Sequence, residues 1–131
     1  MNNPSLNNAA LLAARILMCV LFVVAGYGKI TGYAHTQAYM QSAGVPGPLL
    51  PLVIATELGG GLAILLGFQT RIVAVLLAGF TVLSALFFHT NFADQNQMIN
   101  FMKNLAIAGG FLSLFVSGAG AWSLDGALRR G

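Results

Sequence analysis

Two long apolar runs joined by one short polar turn decide the fold. Residues 48–88 read PLLPLVIATELGGGLAILLGFQTRIVAVLLAGFTVLSALFF, in which Glu57 and Arg71 are the charged side chains. A helix of about 20 mostly apolar residues crosses a bilayer. The stretch therefore predicts two membrane spans, at about 48–68 and 71–88. Because the turn from Gly67 to Arg71 is short, we expect these two spans to be antiparallel neighbours.

Apolar runs on either side of this pair complete a predicted bundle. They lie at about 11–30 and 100–121, and a short interfacial helix is expected around His35–Met40. Hydrophobic residues make up 57% of the 131 residues and charged residues 7%, with a mean hydropathy of +0.81. Soluble domains carry roughly 25% charged residues. The chain is thus predicted to be one all-α domain over 1–131, an integral membrane four-helix bundle in contact with lipid.

Several function classes are excluded at this point. The six basic residues are scattered along the chain, so no nucleic-acid partner is expected. The single Cys19 permits neither an internal disulfide nor a dithiol pair. The sequence has no metal-ligand spacing, Rossmann unit or phosphate-binding glycine loop. Neither a metal site nor an intrinsic cofactor is therefore expected. The N-terminal MNNPSLNNAA lacks a basic region, which favours a retained first helix over a cleaved signal.

The distribution of Lys and Arg predicts the orientation. Cytoplasmic loops of membrane proteins carry an excess of these residues. The side with the two termini has four basic residues, which are Arg15, Arg71, Arg129 and Arg130. The other side has two, Lys29 and Lys103. This imbalance favours both termini in the cytoplasm. Arg15, Arg71 and also Asp125 are interpreted as structural or topological residues.

Ionisable residues recur on single helix faces. Such residues inside a span are costly, at roughly 2.5–3.5 kcal/mol on insertion scales, and they mark functional sites by default. Spacings of four and three residues align three sets, namely Arg15, Cys19, Phe22, Gly26 and Lys29; Glu57, Gly61, Ile64, Phe68 and Arg71; and Lys103, Ile107, Gly110, Leu114 and Ser117. Each set combines charge with glycine, which lets helices approach closely. We therefore expect all three faces to point into the bundle.

Depth along the spans predicts a polar pocket. Lys29, His89 and Lys103 lie at span ends on one side, and Glu57 lies roughly 14 Å into its span from that side at 1.5 Å per residue. Glu57 is thus expected at the floor of a pocket that opens away from the cytoplasm. An alternative stays open, in which Glu57 is a buried ion-pair partner of Lys29, Arg15 or Lys103 that sets helix register.

Six short motifs in order resemble the DoxX family over nearly the whole chain. They are Gly26-Tyr27-Gly28-Lys29, Glu57-Leu58-Gly59-Gly60-Gly61, Gly67-Phe68-Gln69-Thr70-Arg71, His89, Lys103-Asn104-Leu105 and Ser123-Leu124-Asp125. The resemblance implies a four-helix bundle in the bacterial inner membrane. It also implies quinone-linked redox work, since family members include a thiosulfate:quinone oxidoreductase subunit, relatives linked to quinone and catechol detoxification, and components of oxidative-stress complexes.

The leading hypothesis is therefore a membrane component of quinone-linked electron transfer or quinone detoxification. The expected ligand-binding residues are Lys29, His89, Lys103, Asn104, Gly26 and Gly61, with Glu57 as a proton relay or counter-charge. A redox protein partner is expected to supply electrons. Two alternatives remain, a non-redox binder or transporter of an organic anion or aromatic solute, and a scaffold subunit whose charges only pack helices.

Overall fold

The computed structural model describes residues 3–130, and side chains from 3 to 128. Most of this range is helical, and it contains no strands. Its α-helices are α1 Pro4–Thr31, α2 Tyr33–Ser42, α3 Leu50–Leu66, α4 Thr70–Phe88, α5 Gln95–Ser117 and α6 Leu124–Arg130, and a 3-10 turn at Gly47–Leu49 precedes α3. Four of the helical segments, Pro4–Thr31, Gly47–Leu66, Thr70–Phe88 and Gln95–Ser117, are long and apolar enough to cross a membrane. The predicted four-helix membrane bundle is confirmed.

Local sequence signals account for the length of α1. The Asn3 side chain accepts a hydrogen bond from the Leu6 amide at 3.1 Å and caps the helix, and Pro4 follows at the first helical position. Proline suits that position because its missing N–H would be unpaired there anyway. The helix ends at Gly32, and Tyr33 begins the short helix α2. The predicted helix around His35–Met40 is confirmed.

The turn between α3 and α4 depends on left-handed backbone. Gly67 has φ of +72° and ends α3, and Gln69 has φ of +50° immediately before α4. Glycine adopts this region without steric cost. The Asp125 carboxylate accepts hydrogen bonds from the Gln69 and Thr70 amides at 2.7 and 2.8 Å. A carboxylate from the distant C-terminal segment therefore caps the start of α4.

Helix α5 is displaced from the predicted fourth span at 100–121. It begins at Gln95, where the Asp94 side chain accepts a hydrogen bond from the Asn96 amide at 2.9 Å as an N-cap. It ends at Ser117 because Gly118, with φ of +74°, leaves the helical conformation. The residues from Gly118 to Ser123 instead form turns that bring Asp125 to α4.

The four long helices pack mainly as two pairs. Helix α1 packs against α3, and α4 packs against α5, with α3 and α4 in contact between them. An edge-to-face contact between Phe22 and Phe111, with ring centroids 5.4 Å apart, joins α1 to α5 across the core. Small side chains on α4 such as Ala74 and Ala78 let the pairs close around this contact. The core is apolar at mid-bundle and polar towards both ends.

The inward faces agree with the sequence for α1 and agree in part for α3 and α5. On α1 the predicted residues Arg15, Cys19, Phe22 and Gly26 are the buried ones. On α3, Glu57, Gly61 and Ile64 are buried, whereas Phe68 and Arg71 lie beyond the helix end and are exposed. On α5 the buried residues are Ala108, Phe111 and Leu114. Leu114 is thus buried as expected and Ile107 packs against the core, whereas the expected inward position is wrong for Lys103 and Ser117, which are exposed.

Glycine makes the close approach of α1 and α3 possible. A Cβ added at Gly26 would lie 2.7 Å from Leu58 Cγ, and one added at Gly61 would lie 3.1 Å from Val23 Cγ2. By contrast, a Cβ at Gly59, on the exposed side of α3, would meet nothing within 4 Å. Gly26 and Gly61 therefore act as helix-packing residues.

We expect Gly26→Leu to lower the free energy of unfolding in detergent by about 1–3 kcal/mol, because the added side chain overpacks the α1–α3 contact. The matched variant Gly59→Leu places the same side chain toward lipid and should leave stability unchanged or higher. Denaturant titration of both purified variants checks this. Equal stability of the two variants would contradict the close α1–α3 packing.

Candidate functional site

A cavity of about 430 Å³ lies at one end of the bundle, called here the Lys29 end. It is enclosed by the end of α1, helix α2, the start of α3 and the end of α4. Most of its lining is apolar or aromatic, and its polar residues are Lys29, Thr36, Thr56, Glu57, Ser84 and His89. A largely apolar pocket with a few convergent polar groups is the usual form of a small-molecule site.

An ion pair between Lys29 and Glu57 forms the charged part of the cavity. Lys29 Nζ lies 2.8 Å from Glu57 Oε1, and the two side chains are 27% and 8% exposed. Because a charge inside a span must be paired or hydrated, Glu57 depends on this partner. Of the three cations considered as partners of Glu57, Lys29 is the one that pairs with it in the structure. The pair lines an open space and is not sealed within the packed core.

Helix α2 forms one wall of the cavity and contacts α4 there. Tyr39 stacks on Phe88 of α4, with ring centroids 5.3 Å apart and an angle of 20° between the rings. Met40, one residue further on, is 3% exposed. The sequence analysis placed neither Tyr39 nor Phe88 at the site, because the two rings are distant in the chain and no spacing rule brings them together.

His89 is the third predicted site residue at the cavity. It is the C-cap residue of α4, and its backbone N–H donates to the Ala85 carbonyl at 2.9 Å. Its Nδ1 atom is buried and has no hydrogen-bond partner in the part of the chain that the structure describes. An imidazole nitrogen in this state is available to a ligand as a donor or as an acceptor, depending on the tautomer.

Two predicted ligand residues lie away from the cavity. Asn104 Nδ2 donates to the Thr81 carbonyl at 3.2 Å and so ties α5 to α4. Lys103 is exposed on the outer side of α5, where its chain can reach the membrane surface. Neither residue lines the cavity. Gly26 and Gly61 pack α1 against α3, as described above, and bring Lys29 within reach of Glu57.

The opposite end of the bundle, called here the Arg15 end, uses its charges to close helix termini. Arg15 is 1% exposed and donates to the carbonyls of Ile64 and Leu65 at 3.3 and 3.0 Å, and also to the Trp122 carbonyl. A cation is stabilised at a helix C-terminus by the helix dipole. Arg15 therefore anchors the end of α3, as Asp125 anchors the start of α4.

A second cavity of about 430 Å³ lies at the Arg15 end, and Arg71 and Asp125 line it. Asp125 already accepts two backbone hydrogen bonds there, and Arg71 Nη2 lies 3.5 Å from the Ser117 carbonyl at the end of α5. The two charged residues of this second cavity thus contact backbone groups at helix ends. Within residues 3–128, no group of three His, Cys, Asp or Glu side chains comes together to hold a metal ion.

Comparison with known proteins agrees with this architecture. A profile of the DoxX family matches residues 10–90. The chain is 58% identical over 125 residues to the Escherichia coli K12 "Inner membrane protein YqjF", covering 95% of this chain and 96% of that protein. It is 43% identical over 122 residues to "Inner membrane protein YphA" of the same organism, covering 88% and 87%.

A more distant match is the Bacillus subtilis 168 protein named "Putative oxidoreductase CatD", at 36% identity over 67 residues. The match covers 51% of this chain and 50% of that protein. No solved structure matches this chain. The near relatives support a multi-pass protein of the inner membrane.

We expect Lys29→Met to lower the free energy of unfolding by about 3 kcal/mol, the lower end of the range for breaking a buried pair, because it leaves Glu57 unpaired. The double variant Lys29→Met with Glu57→Met should recover most of that loss, because it removes both charges. Unfolding free energies of the two single variants and the double variant in detergent give the coupling energy. A coupling near zero would contradict the ion pair.

Proposed function

The chain belongs to the DoxX family of inner-membrane proteins, and we propose that it binds a quinone-like ring in the Lys29–Glu57 cavity as part of quinone-linked redox chemistry or quinone detoxification. The observation that carries the proposal is the position of this ion pair on a cavity of about 430 Å³. A pair that served packing alone would have no need of such a space beside it.

The lining of the cavity suits a flat, lipid-soluble ring. Aromatic side chains pack favourably against rings in stacked or edge-to-face geometry. The cavity offers four aromatic residues, which are Tyr39, Phe80, Phe87 and Phe88. Its aliphatic residues, such as Leu52 and Leu83, suit a hydrocarbon substituent. The size and composition together favour an aromatic ligand.

The polar residues provide hydrogen bonds and a place for protons. A bound quinone can take up two electrons and two protons, which convert it to the hydroquinone. The Lys29 ammonium has three donors, and Glu57 occupies one of them, so the others can bind a ring oxygen. Glu57 can hold a proton within reach of that oxygen as a relay. His89 offers its buried Nδ1 to a second polar group of the ligand.

The charge balance of the cavity argues for an uncharged ligand. Lys29 and Glu57 neutralise each other, so an organic anion gains no net attraction from them. This favours a neutral ring over the organic-anion alternative. With one thiol, Cys19, buried in the core, the chain has no dithiol pair, and we propose that electrons pass to or from a redox partner protein.

Both termini are proposed to lie in the cytoplasm. Four spans place the two termini on the same side of the membrane, and the Arg71 turn lies on that side too. The side chains of Arg129 and Arg130, which also entered the count of basic residues, are outside the described part of the chain. The Lys29 cavity would then face the opposite side.

Solvent extraction of the purified protein tests the proposed ligand. We expect mass spectrometry of the extract to find nearly one quinone per chain. Lys29→Ala should weaken retention by about 10–100-fold, because it removes the charged donor that binds the ring oxygen. Lys103→Ala removes an equivalent charge away from the cavity and should retain the quinone. If no quinone is extracted and added quinone leaves the melting temperature unchanged, the proposal is wrong.

Reporter fusions test the orientation. A C-terminal green fluorescent protein should fluoresce, because it folds in the cytoplasm, and a C-terminal alkaline phosphatase should be inactive. Fusions after Asn91, in the loop before α5, should give the opposite pair of results. An active phosphatase at the C-terminus would reverse the proposed topology.

A further inference from the structure

The ion pair presents a donor and an acceptor side by side. Glu57 is 6% exposed, and its carboxylate lies 2.8 Å from the Lys29 ammonium. An ionised carboxylate only accepts hydrogen bonds, and an ammonium only donates them. A ligand oxygen that meets both groups at once is best satisfied if it accepts from Lys29 and donates to Glu57. A hydroxyl does both.

A carbonyl oxygen can accept a hydrogen bond from Lys29 but cannot donate one to Glu57. The oxygens of a quinone are acceptors, and one placed beside Glu57 would face another acceptor in a site largely removed from water. Leaving a buried polar group without its hydrogen bond is unfavourable, and the effect is larger when the group is charged. The quinone is therefore penalised at the position where the hydroxyl is favoured.

The other polar groups of the cavity do not distinguish the two forms. The His89 imidazole has one donor and one acceptor nitrogen when neutral, and its tautomer can follow the ligand. The Ser84 hydroxyl can donate or accept. The Thr56 hydroxyl donates to the Leu52 carbonyl at 2.8 Å, and like the Ser84 hydroxyl it can turn its proton to a ligand oxygen instead. Glu57 is therefore the residue that separates the two forms.

We propose that the cavity is selective for the reduced, hydroxyl-bearing form of its ring, a hydroquinone, over the corresponding quinone. This inference rests on the proposed function and specifies the oxidation state of the ligand. It makes Glu57 a specificity-determining residue, because its carboxylate favours a ligand oxygen that donates a hydrogen bond over one that only accepts. The ion pair is the geometric basis, since it holds the acceptor and the donor together at one place in the cavity.

Duroquinone and durohydroquinone form a matched pair of probes, because they share the same methylated ring and differ in two hydrogen atoms. Binding to the detergent-purified protein is measured anaerobically by calorimetry. We expect durohydroquinone to bind at least about tenfold tighter, the effect of one hydrogen bond to a charged group. The dimethyl ether of durohydroquinone keeps the ring but removes both donors, and it should lose this advantage.

Glu57→Gln tests the residue assigned to the selectivity. Its amide both donates and accepts, so the ratio of the two affinities should fall to near one. Asp94→Asn makes the same chemical change in the loop before α5, away from the cavity, and should keep the wild-type ratio. A folded Glu57→Gln variant that keeps the ratio contradicts the assignment. The wild-type comparison stands even if this variant does not fold.

A redox titration gives an independent readout. Tighter binding of the hydroquinone makes reduction of the bound couple easier, so its midpoint potential rises by about 30 mV for each tenfold preference. Equal affinities, or tighter binding of duroquinone, would overturn the inferred selectivity while leaving quinone binding intact. If neither probe binds the wild-type protein, the proposed function itself is contradicted.

Discussion

A carboxylate inside a membrane span must have a partner, and the Lys29 end of this protein is built around that requirement. Glu57 lies two turns inside α3, and an unpaired charge at that depth would oppose insertion. Lys29 reaches it because α1 extends to Thr31 and approaches α3 at Gly26 and Gly61. The two glycines thus allow the ion pair to form.

The two ends of the bundle use buried charge in different ways. At the Arg15 end, Arg15 and Asp125 bind backbone groups at helix termini and so join α3, α4 and the C-terminal segment, although Asp125 also lines the second cavity. At the Lys29 end, the charges meet each other beside a cavity. A side chain whose hydrogen bonds already go to the backbone has little hydrogen-bonding capacity left for a ligand. The contrast between the ends separates the structural charges from the candidate site.

The length of the apolar runs predicted the four spans, and the spacing of charge and glycine predicted the inward face of α1. On α5 the spacing placed Leu114 in the interior correctly but was wrong for Lys103, which lies on a different face from Phe111. The contact between Phe111 and Phe22 decides in favour of the aromatic ring, and Lys103 turns outward. The stack of Tyr39 on Phe88 was also beyond reach, since it depends on how α2 folds back over α4 and has no local signal. Sequence spacing resolves faces within one helix but not the contacts between distant helices.

The middle of the bundle is apolar, and this bears on the side of the membrane from which the proposed chemistry takes its protons. Between the two polar ends lie Phe22, Ile64, Leu77 and Phe111, each at most 4% exposed, and these side chains neither carry protons nor hold water. A proton held at Glu57 therefore has no polar route to the Arg15 end through this core. Its neighbours are Lys29 and the cavity, with His89 at the end of α4. Under the proposed function, protons exchanged with a ring bound in this cavity would enter and leave on the Lys29 side of the membrane, because the described core residues between the two ends are apolar.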